Sequence, residues 1–231
     1  MNLRMLAAIG ACGLMLLTSA VCADESAVPA RTPNWPGSFV ARVEALALLQ
    51  TLNADLLSHD SATTTLEHWC AVHRLASPPR VLATRVDGAD SPPSPEQRRE
   101  LGVGPAEAVR HRRVRLHCGA MVLSEADNWY VPGRLTPEMN RLLDSTDLPF
   151  GKVVKALHFR RHTLSARLLW LPLPEGWEMN TAEPGGGAPD LTVPAQVLEH
   201  RAVLLLPDGT ALSEVVETYT ANVLAFPAPQ R

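Results

Sequence analysis

The residues best suited to chemistry in this chain are charged side chains on segments that alternate like β-strands. Along residues 113–118 the alternation separates an apolar face from a polar one: Val114, Leu116 and Cys118 against Arg113, Arg115 and His117. An arginine on a covered sheet is costly unless an anion pairs with it. The pattern therefore predicts a carboxylate-binding site, with Arg113 as its main cation and Arg115 as the next candidate.

A glutamate on the last predicted strand is the second unusual charge. A period of two places one set of side chains on one face and a second set on the other: Val215, Glu217 and Tyr219 against Glu214, Val216 and Thr218. Glu217 thus has apolar or aromatic neighbours. Two interpretations stay open: a half-exposed strand with solvated charges, or an arginine–glutamate pair that faces a small polar anion.

Other kinds of reactive site find little support in the sequence. There is no G-x-S-x-G nucleophile motif, and the run of three glycines at 185–187 lies between prolines rather than after a strand. His158 and His162 fall in an apparent strand, while His68 and His73 are five residues apart on a predicted helix. We therefore interpret these histidines as surface or core residues and predict no metal site.

Helical spacing, caps and turns predict the order of the elements. Helices are expected at 39–59 and 64–75, a strand at 80–86, a loop at 87–104 and two central strands within 109–132. Further helices follow Thr136 and Pro149, a strand covers 159–171, and a loop covers 172–194. A hairpin of 200–206 and 210–219 comes last. Hairpins without a strand–helix–strand repeat predict a single α+β domain on an antiparallel sheet of about six strands.

The first residues have the pattern of a secretory signal. Arg4 precedes an uncharged run from Leu6 to Ala23, and Val21-Cys22-Ala23 before Asp24 fits a cleavage site. The alternatives are an uncleaved anchor, weakened by the glycines and hydroxyl residues of the run, and a lipoprotein, weakened by Val21. We expect a signal peptide at 1–23, a Pro-rich leader at 24–37, the folded domain at 38–231 and a periplasmic or secreted product.

Composition narrows the partners of the mature chain. Without Arg4, 20 basic residues stand against 24 acidic ones, which gives a formal charge of −4. This balance argues against a nucleic-acid partner, and nothing indicates stable membrane insertion once the signal is cleaved. We expect a monomer whose partner is a small molecule.

Two cysteines remain after the signal is removed, Cys70 and Cys118. In an oxidising compartment such a pair often forms a disulfide. The alternative is two small buried thiols on different elements, because the sequence cannot place the two Cβ atoms within reach. Both interpretations stay open.

Several short motifs, taken in order, resemble chorismate lyase, also called 4-hydroxybenzoate synthase, over residues 54–226. The matching stretches are Asp60-Ser61-Ala62-Thr63, Arg113 on the strand before Val131-Pro132, Leu148-Pro149-Phe150-Gly151-Lys152, and the Asp208-Gly209 hairpin followed by Glu217. Each stretch is short, and their order and spacing carry the resemblance. On this basis the chain is identified as an exported, divergent member of that family.

The resemblance implies a chorismate-lyase-like fold, with helices packed on one side of a six-stranded antiparallel sheet. It implies a cofactor-free elimination of pyruvate from chorismate, or from a related cyclic carboxylate, which gives a 4-hydroxybenzoate-type product for ubiquinone biosynthesis. Arg113 and Glu217 would be the catalytic pair, one binding the ring carboxylate and the other the 4-hydroxyl end. The substrate-binding residues implied are Ala62, Arg115, Asn128 and Phe150.

Departures from the family leave a second function open. Asn128 stands where the family has another basic residue, and Glu214 competes with Glu217 because the match needs a shift of one residue. Chorismate is made in the cytosol, whereas this chain has an export pattern. The alternative is a non-catalytic periplasmic binder of a small aromatic carboxylate. The effector domains of certain transcription regulators also resemble this fold, but the absence of preceding DNA-binding helices disfavours a regulator.

Overall fold

A computed structural model describes residues 35–86, 88, 91–179 and 189–229. The expected signal peptide and residues 24–34 of the expected leader lie outside these ranges. Trp35, at the end of the expected leader, is fully buried, and its indole N–H is shared between the carbonyls of Leu224 and Phe226 at 3.2 and 3.1 Å. The packed domain therefore includes Trp35. Within the described ranges, no helix has both the length and the apolar character needed to cross a bilayer.

The two long helices begin where the sequence offers a serine cap. Helix α1 (Phe39–Ser58) is capped by Ser38, whose hydroxyl accepts a hydrogen bond from the first turn at 3.3 Å. Helix α2 (Ala62–Val72) is capped by Ser61, which accepts one from the Thr64 N–H at 3.3 Å. Ser61 thus replaces the cap expected at Thr64, and α2 starts two residues earlier than predicted.

The strands in the described chain form one antiparallel sheet, as predicted. In chain order they are β1 (Val81–Arg85), β2 (Arg110–Cys118), β3 (Met121–Tyr130), β4 (Arg160–Leu168), β5 (Gln196–Leu205) and β6 (Ala211–Thr220). Across the sheet the order is β1-β2-β3-β6-β5-β4. The turns that close the β2–β3 and β5–β6 hairpins contain Gly119 and Gly209 at φ of +58° and +86°, a conformation that favours glycine. The single-domain α+β class is confirmed.

Three shorter α-helices complete the described fold: α3 (Pro95–Glu100), α4 (Pro137–Ser145) and α5 (Phe150–Val153). Single turns of 3-10 helix occur at Pro132–Arg134, Lys155–Leu157, Trp177–Met179 and Ala221–Leu224. Helix α3 lies in the segment predicted as a loop. Ser94 and Gln97 form a reciprocal capping box there, with Pro95 in the first turn. This signal was present in the sequence, and the loop prediction missed it.

Four helices cover one face of the sheet, which we call the covered face; it includes Val114, Leu116, Ala126 and Val215. Helices α1 and α2 pack there in the main apolar core. Helices α4 and α5 pack beside them, in a second cluster around Tyr130 and Leu204. Helix α3 contacts β6, and its C-cap Leu101 packs with Trp129 and Val203 on the opposite, largely open face.

A disulfide joins the covered face of the sheet to the helix layer. Cys70 of α2 and Cys118 of β2 are bonded, with their Cα atoms 6.5 Å apart, and both are fully buried. Of the two open interpretations of these cysteines, the structure therefore has the bridged one. The bond fixes α2 against the strand that carries Arg112 and Val114.

Candidate functional site

A cavity lies between the covered face of the sheet and the helix layer. Its floor is formed by the central strands β2, β3, β6 and β5, and its roof by the starts of α2 and α5. The lining residues are Asp60, Ser61, Ala62, Thr63, Arg112, Val114, Leu116, Ala126, Asn128, Pro149, Phe150, Gly151, Phe159, Arg161, Leu204, Val215 and Glu217. Its volume is about 50 Å³, so it is a small cavity.

Arg112 is the most unusual group in this cavity. Strand β2 turns its side chain inward with Val114 and Leu116, so that only 3 % of the residue is exposed. Its Nη2 donates to the Leu148 carbonyl at 3.3 Å, while Nε is buried without a hydrogen-bond partner among the described residues. Burial, and next the charge of Arg85, lower the pKa of Arg112 from its usual value. Arg112 forms no ion pair with a described residue.

Asn128 lies directly opposite Arg112 on β3. Directly opposed residues in antiparallel strands have Cβ atoms about 4.5–5.5 Å apart. Asn128 is buried, and its Oδ1 also has no hydrogen-bond partner within the described part of the chain. The two residues therefore form a polar patch with unused hydrogen-bonding capacity beside apolar walls.

A buried ion pair forms the second polar patch of the cavity. Arg161 of β4 donates from Nη2 to Oε2 of Glu217 at 2.6 Å, and the Tyr219 hydroxyl donates to the same oxygen at 3.1 Å. Burial alone would lower the pKa of Arg161, but Glu217 and Tyr219 more than offset it and the pKa is raised. Burial, followed by the charge of Glu217, raises the pKa of Tyr219. Oε2 of Glu217 thus accepts two hydrogen bonds, which fix the orientation of the carboxylate.

The roof adds hydroxyl groups and the start of a helix. The backbone N–H of Arg161 donates to Asp60 Oδ1 at 2.9 Å, which joins β4 to the turn before α2. Gly151 lies so close to this turn that a Cβ atom on it would be 3.3 Å from the Ser61 hydroxyl. The N-terminus of α2 carries a partial positive charge, so the roof, like Arg112, favours an anionic ligand.

A histidine behind the ion pair completes the polar network. His200 is fully buried, its Nε2 lies 2.8 Å from Asn53 Oδ1, and its ring packs edge-on against Tyr219. Burial, then the charge of Arg161, lower the pKa of His200 to about 4, against an opposing effect of Glu217. The ring is therefore neutral at neutral pH, with Nε2–H as the donor to Asn53.

The structure brings some of the predicted site residues together and separates others. Glu217, Ala62, Asn128 and Phe150 all line the cavity. Arg113 and Arg115 do not: they project from the open face, where both pair with Glu125, at 3.7 and 3.1 Å. Glu214, the competitor of Glu217, is buried on that face and pairs with Arg201 at 2.7 Å.

Arg113 therefore lies outside this cavity, because neighbouring residues of a strand project from opposite faces. The same alternation that puts Val114 and Leu116 on the covered face puts Arg112 there, and Arg113 on the other side. Arg113 is 42 % exposed in its side chain and lies 3.9 Å from Asp127 as well as near Glu125. The signal for Arg112 was thus in the sequence: it is a charged residue in phase with the apolar ones.

Arg161 was missed for a different reason. A period of two places it on the same face as the polar residues Thr163 and Ser165, so its sequence context gives no sign of a covered position. A register shift between Thr163 and Ser165 marks a β-bulge in β4. The bulge changes the parity midway along the strand, so Arg161 faces the cavity although Ser165 does not. No period-two analysis of the sequence could place this bulge.

The part of the chain that the structure describes contains no cluster of three or more histidine, cysteine or acidic residues able to hold a metal ion. Two arginines, one glutamate, one aspartate, one asparagine and the hydroxyls of Ser61 and Thr63 supply the polar groups of the cavity. Arginines and hydroxyls suit an oxyanion.

A sequence comparison finds one close relative among curated proteins. The uncharacterized protein y4mC of Sinorhizobium fredii (strain NBRC 101917 / NGR234) is 57 % identical over 197 residues, which cover 85 % of this chain and 83 % of that protein. No family model matches the chain.

Solved structures with a similar arrangement include domains of transcriptional regulators. The effector domain of PhnF from Mycobacterium smegmatis gives a TM-score of 0.45 at 14 % identity, over 70 % of this chain and 88 % of that one. The ligand-binding domain of a putative GntR-family regulator from Bordetella bronchiseptica gives a TM-score of 0.39 at 17 % identity. The match covers 61 % of this chain and 82 % of that domain. The possible transcriptional regulator YydK from Bacillus subtilis gives a TM-score of 0.40 at 14 % identity. The match covers 65 % of this chain and 62 % of YydK, which is less than two thirds of its length.

These findings correct the identification as a chorismate lyase. No family model matches the chain, and the curated relative is an uncharacterized protein, so neither sequence comparison supports a lyase. The geometry agrees with the correction, because the arginine on which the resemblance relied, Arg113, lies outside the cavity. The elimination chemistry and the place in ubiquinone biosynthesis that the resemblance implied lose their basis with it.

Proposed function

Because the chain belongs to the family of the uncharacterized protein y4mC, whose name states no activity, we propose a function from the site itself: the protein binds a small aromatic carboxylate without converting it. The observation that carries this proposal is Arg112, a buried guanidinium with no acidic partner among the described residues. A buried unpaired charge is destabilising by several kcal/mol. A ligand carboxylate would pair with Arg112 and take up its free N–H capacity.

The second polar patch supports a ligand with a hydrogen-bond donor at its other end. Glu217 is fixed through Oε2 by Arg161 and Tyr219, so its orientation is set before a ligand arrives. A carboxylate accepts hydrogen bonds and cannot donate them, so it fits a hydroxyl or amino group on the ligand. Because its charge is paired with a buried arginine, Glu217 is better suited to hold a ligand than to accept a proton from it.

The walls between the two patches favour a flat apolar body. Val114, Leu116, Phe150 and Phe159 line the cavity. Aromatic and branched side chains at these positions exclude water and strengthen the polar contacts at either end. At about 50 Å³ the cavity excludes a nucleotide or a peptide, and a single ring fits only if the walls move apart, since a cavity that binds benzene has about 150 Å³. A hydroxybenzoate-type ligand has a carboxylate for Arg112, a hydroxyl for Glu217 and a flat apolar ring between them.

We also propose that the protein acts outside the cytoplasm, in the periplasm or after secretion. Two observations support this location: the signal-like pattern of residues 1–23 and the Cys70–Cys118 bond, since stable disulfides are typical of oxidising compartments. Mass spectrometry of the protein recovered from the periplasm or medium should find an N-terminus at or near Asp24. Recovery in the cytosol with Met1 intact would contradict export.

The binding proposal is tested by isothermal titration calorimetry with a matched set of ligands. We expect 4-hydroxybenzoate to bind and 4-hydroxybenzyl alcohol, which lacks the carboxylate, to bind on the order of 30- to 100-fold more weakly, the scale of a lost charged hydrogen bond. Benzoate should fall between them, because it lacks only the group that faces Glu217. Chromatography should recover the ligand unchanged. Equal affinity for acid and alcohol, or binding of neither, would refute the proposal.

A further inference from the structure

A second group of arginines lies beside the cavity, at the open end of β2. Strand β1 ends at Arg85, which pairs with Val114, so residues 110–113 of β2 extend beyond the last β1–β2 pair. A period of two puts Arg110 and Arg112 on the same face as Val114, and Arg85 as the cross-strand partner of Val114 shares that face. Arg85 and Arg112 are diagonal neighbours, with Cα atoms roughly 7–8 Å apart.

These arginines border an open cleft that the proposed binding function does not use. Arg85, Arg110, Tyr130, Ser91 and Asp144 are among its lining residues, and its volume is about 590 Å³. The cleft is therefore large enough for a carboxylate, a phosphate or the anionic end of a larger ligand. It lies at the same end of β2 and β3 as the Arg112–Asn128 patch, one residue pair further along the covered face.

Among the described residues around the cleft, the three arginines Arg85, Arg110 and Arg112 outnumber the acids Asp144 and Asp147. Arg110 pairs with Asp144 at 3.1 Å, and both side chains are about half exposed, 52 % and 49 %. An exposed pair of this kind is weak and exchanges readily with solvent ions. Arg85 and Arg112 form no ion pair with a described residue, and the charge of Arg85 contributes to the lowered pKa of Arg112. Two facing cations without an acid between them are stabilised by an oxyanion.

We propose that this cleft is an anion subsite, in which Arg85 and Arg110 bind a carboxylate or phosphate next to the anion held by Arg112. The proposal rests on the proposed function only for the position of that first anion. The second anion can be another acidic group on the same ligand or a separate small oxyanion. In either case it displaces Asp144 from Arg110, because the two compete for the same guanidinium.

Calorimetry at physiological ionic strength distinguishes a second acidic group on the same ligand from a separate oxyanion. In the first arm, benzoate is compared with the three phthalate isomers, which add a second carboxylate at three different angles. In the second arm, inorganic phosphate is titrated into the free protein and into protein saturated with benzoate. Each arm uses wild type, Arg85→Gln, Arg110→Gln and Asp144→Asn. The matched control is Arg115→Gln, on the open face of the same strand.

We expect either one phthalate isomer to bind at least tenfold more tightly than benzoate, or phosphate to bind measurably. Arg85→Gln and Arg110→Gln should remove that gain and leave benzoate affinity within twofold. Asp144→Asn should increase the gain, because it removes the competing carboxylate, and a gain cannot come from misfolding. If Arg85→Gln and Arg110→Gln change neither the affinity for the phthalates nor that for phosphate, the subsite does not exist. Failure of benzoate itself to bind would refute the proposed function, while phosphate on the free protein would still test the cleft.

Discussion

Arg112 and Arg113 are consecutive residues of β2, and they lie in opposite surroundings. Arg113 projects into solvent on the open face, where Glu125 and Asp127 stand 3.7 and 3.9 Å away. Arg112 is buried on the covered face with one carbonyl contact and no ion pair to a described residue. On the open face Arg113 thus has acidic neighbours, whereas on the covered face Arg112 lacks an ion-pair partner, which a ligand could supply.

The covered face shows the same contrast within itself. Arg161 is as buried as Arg112 but is paired with Glu217, so this end of the cavity is electrostatically complete. At the other end, Arg112 has no ion-pair partner among the described residues, and Asp144 and Asp147 act on its charge only from beyond ion-pair distance. A binding site for an anion can therefore be identified by a missing ion-pair partner rather than by the number of charges, since Arg113 and Arg115 on the open face both have acidic partners.

The largest expected effect concerns the attachment of the covered face to its helices. Replacing both Cys70 and Cys118 by alanine should lower the free energy of unfolding by about 4 kcal/mol, because the bridge closes a loop with a sequence separation of 48 residues. Urea denaturation of the double variant measures this. The open face has no comparable link within the described chain, so a loss below about 1 kcal/mol would show that the helix layer does not depend on the bridge.

The next effect compares one glutamate on each face. Glu217→Leu leaves Arg161 buried without its acid and should destabilise the protein by about 3 kcal/mol. Glu125→Leu removes an exposed partner of Arg113 and Arg115 and should lower the unfolding free energy by less than about 1 kcal/mol. Parallel urea denaturation compares the two variants. Equal losses would remove the electrostatic distinction between the faces.

A buried histidine gives the covered face a pH dependence. The pKa of His200 is about 4 in the fold and about 6.5 when unfolded, so the unfolded chain binds the extra proton first as the pH falls. Its contribution to stability is present above about pH 6.5 and decreases as the pH falls toward 4, by about 2 kcal/mol between pH 7 and pH 5. His200→Gln should flatten stability over this window, with His117→Gln on the open face as the control. Parallel slopes for wild type and His200→Gln would contradict the assignment.

The smallest effect should come from the open face itself. Arg115→Ala removes a 3.1 Å ion pair whose arginine side chain is 54 % exposed. Surface pairs of this kind contribute little because water and salt screen them. We expect a change within about 0.5 kcal/mol that shrinks further in 0.5 M salt. A loss above about 2 kcal/mol would mean that the open face is covered in the native protein.

The sequence predicted the sheet better than the site. Alternation in β2 and β6 and the Asp208-Gly209 turn were enough to identify an antiparallel α+β domain, since these signals are local. The cavity residues Glu217, Asn128, Ala62 and Phe150 were also named, though their roles came from a family resemblance that the comparisons contradict. Their place in one cavity holds without that resemblance.

Two features limited the prediction of the site. Arg112 alternates with the same period as the apolar Val114 and Leu116, which places it on their face. The sequence prediction started from the polar face of β2 and therefore named Arg113. Consecutive residues of a strand project from opposite faces, so Arg113 lies on the open face although its neighbour Arg112 faces the cavity. For Arg161 the obstacle was physical: a bulge in β4 changes its parity, and a bulge depends on pairing with β5 that is not encoded within β4 alone.

The most direct test of the account is the stability of Arg112→Leu with and without 4-hydroxybenzoate, measured by urea denaturation beside Arg113→Leu. Because Arg112 is an unbalanced buried charge, the ligand-free Arg112→Leu protein should be as stable as wild type or up to about 2 kcal/mol more stable. Ligand at a hundredfold excess over its dissociation constant should stabilise wild type and Arg113→Leu by about 2.7 kcal/mol and Arg112→Leu hardly at all. An Arg112→Leu protein that loses several kcal/mol without ligand, yet keeps the full stabilisation by ligand, would contradict the account.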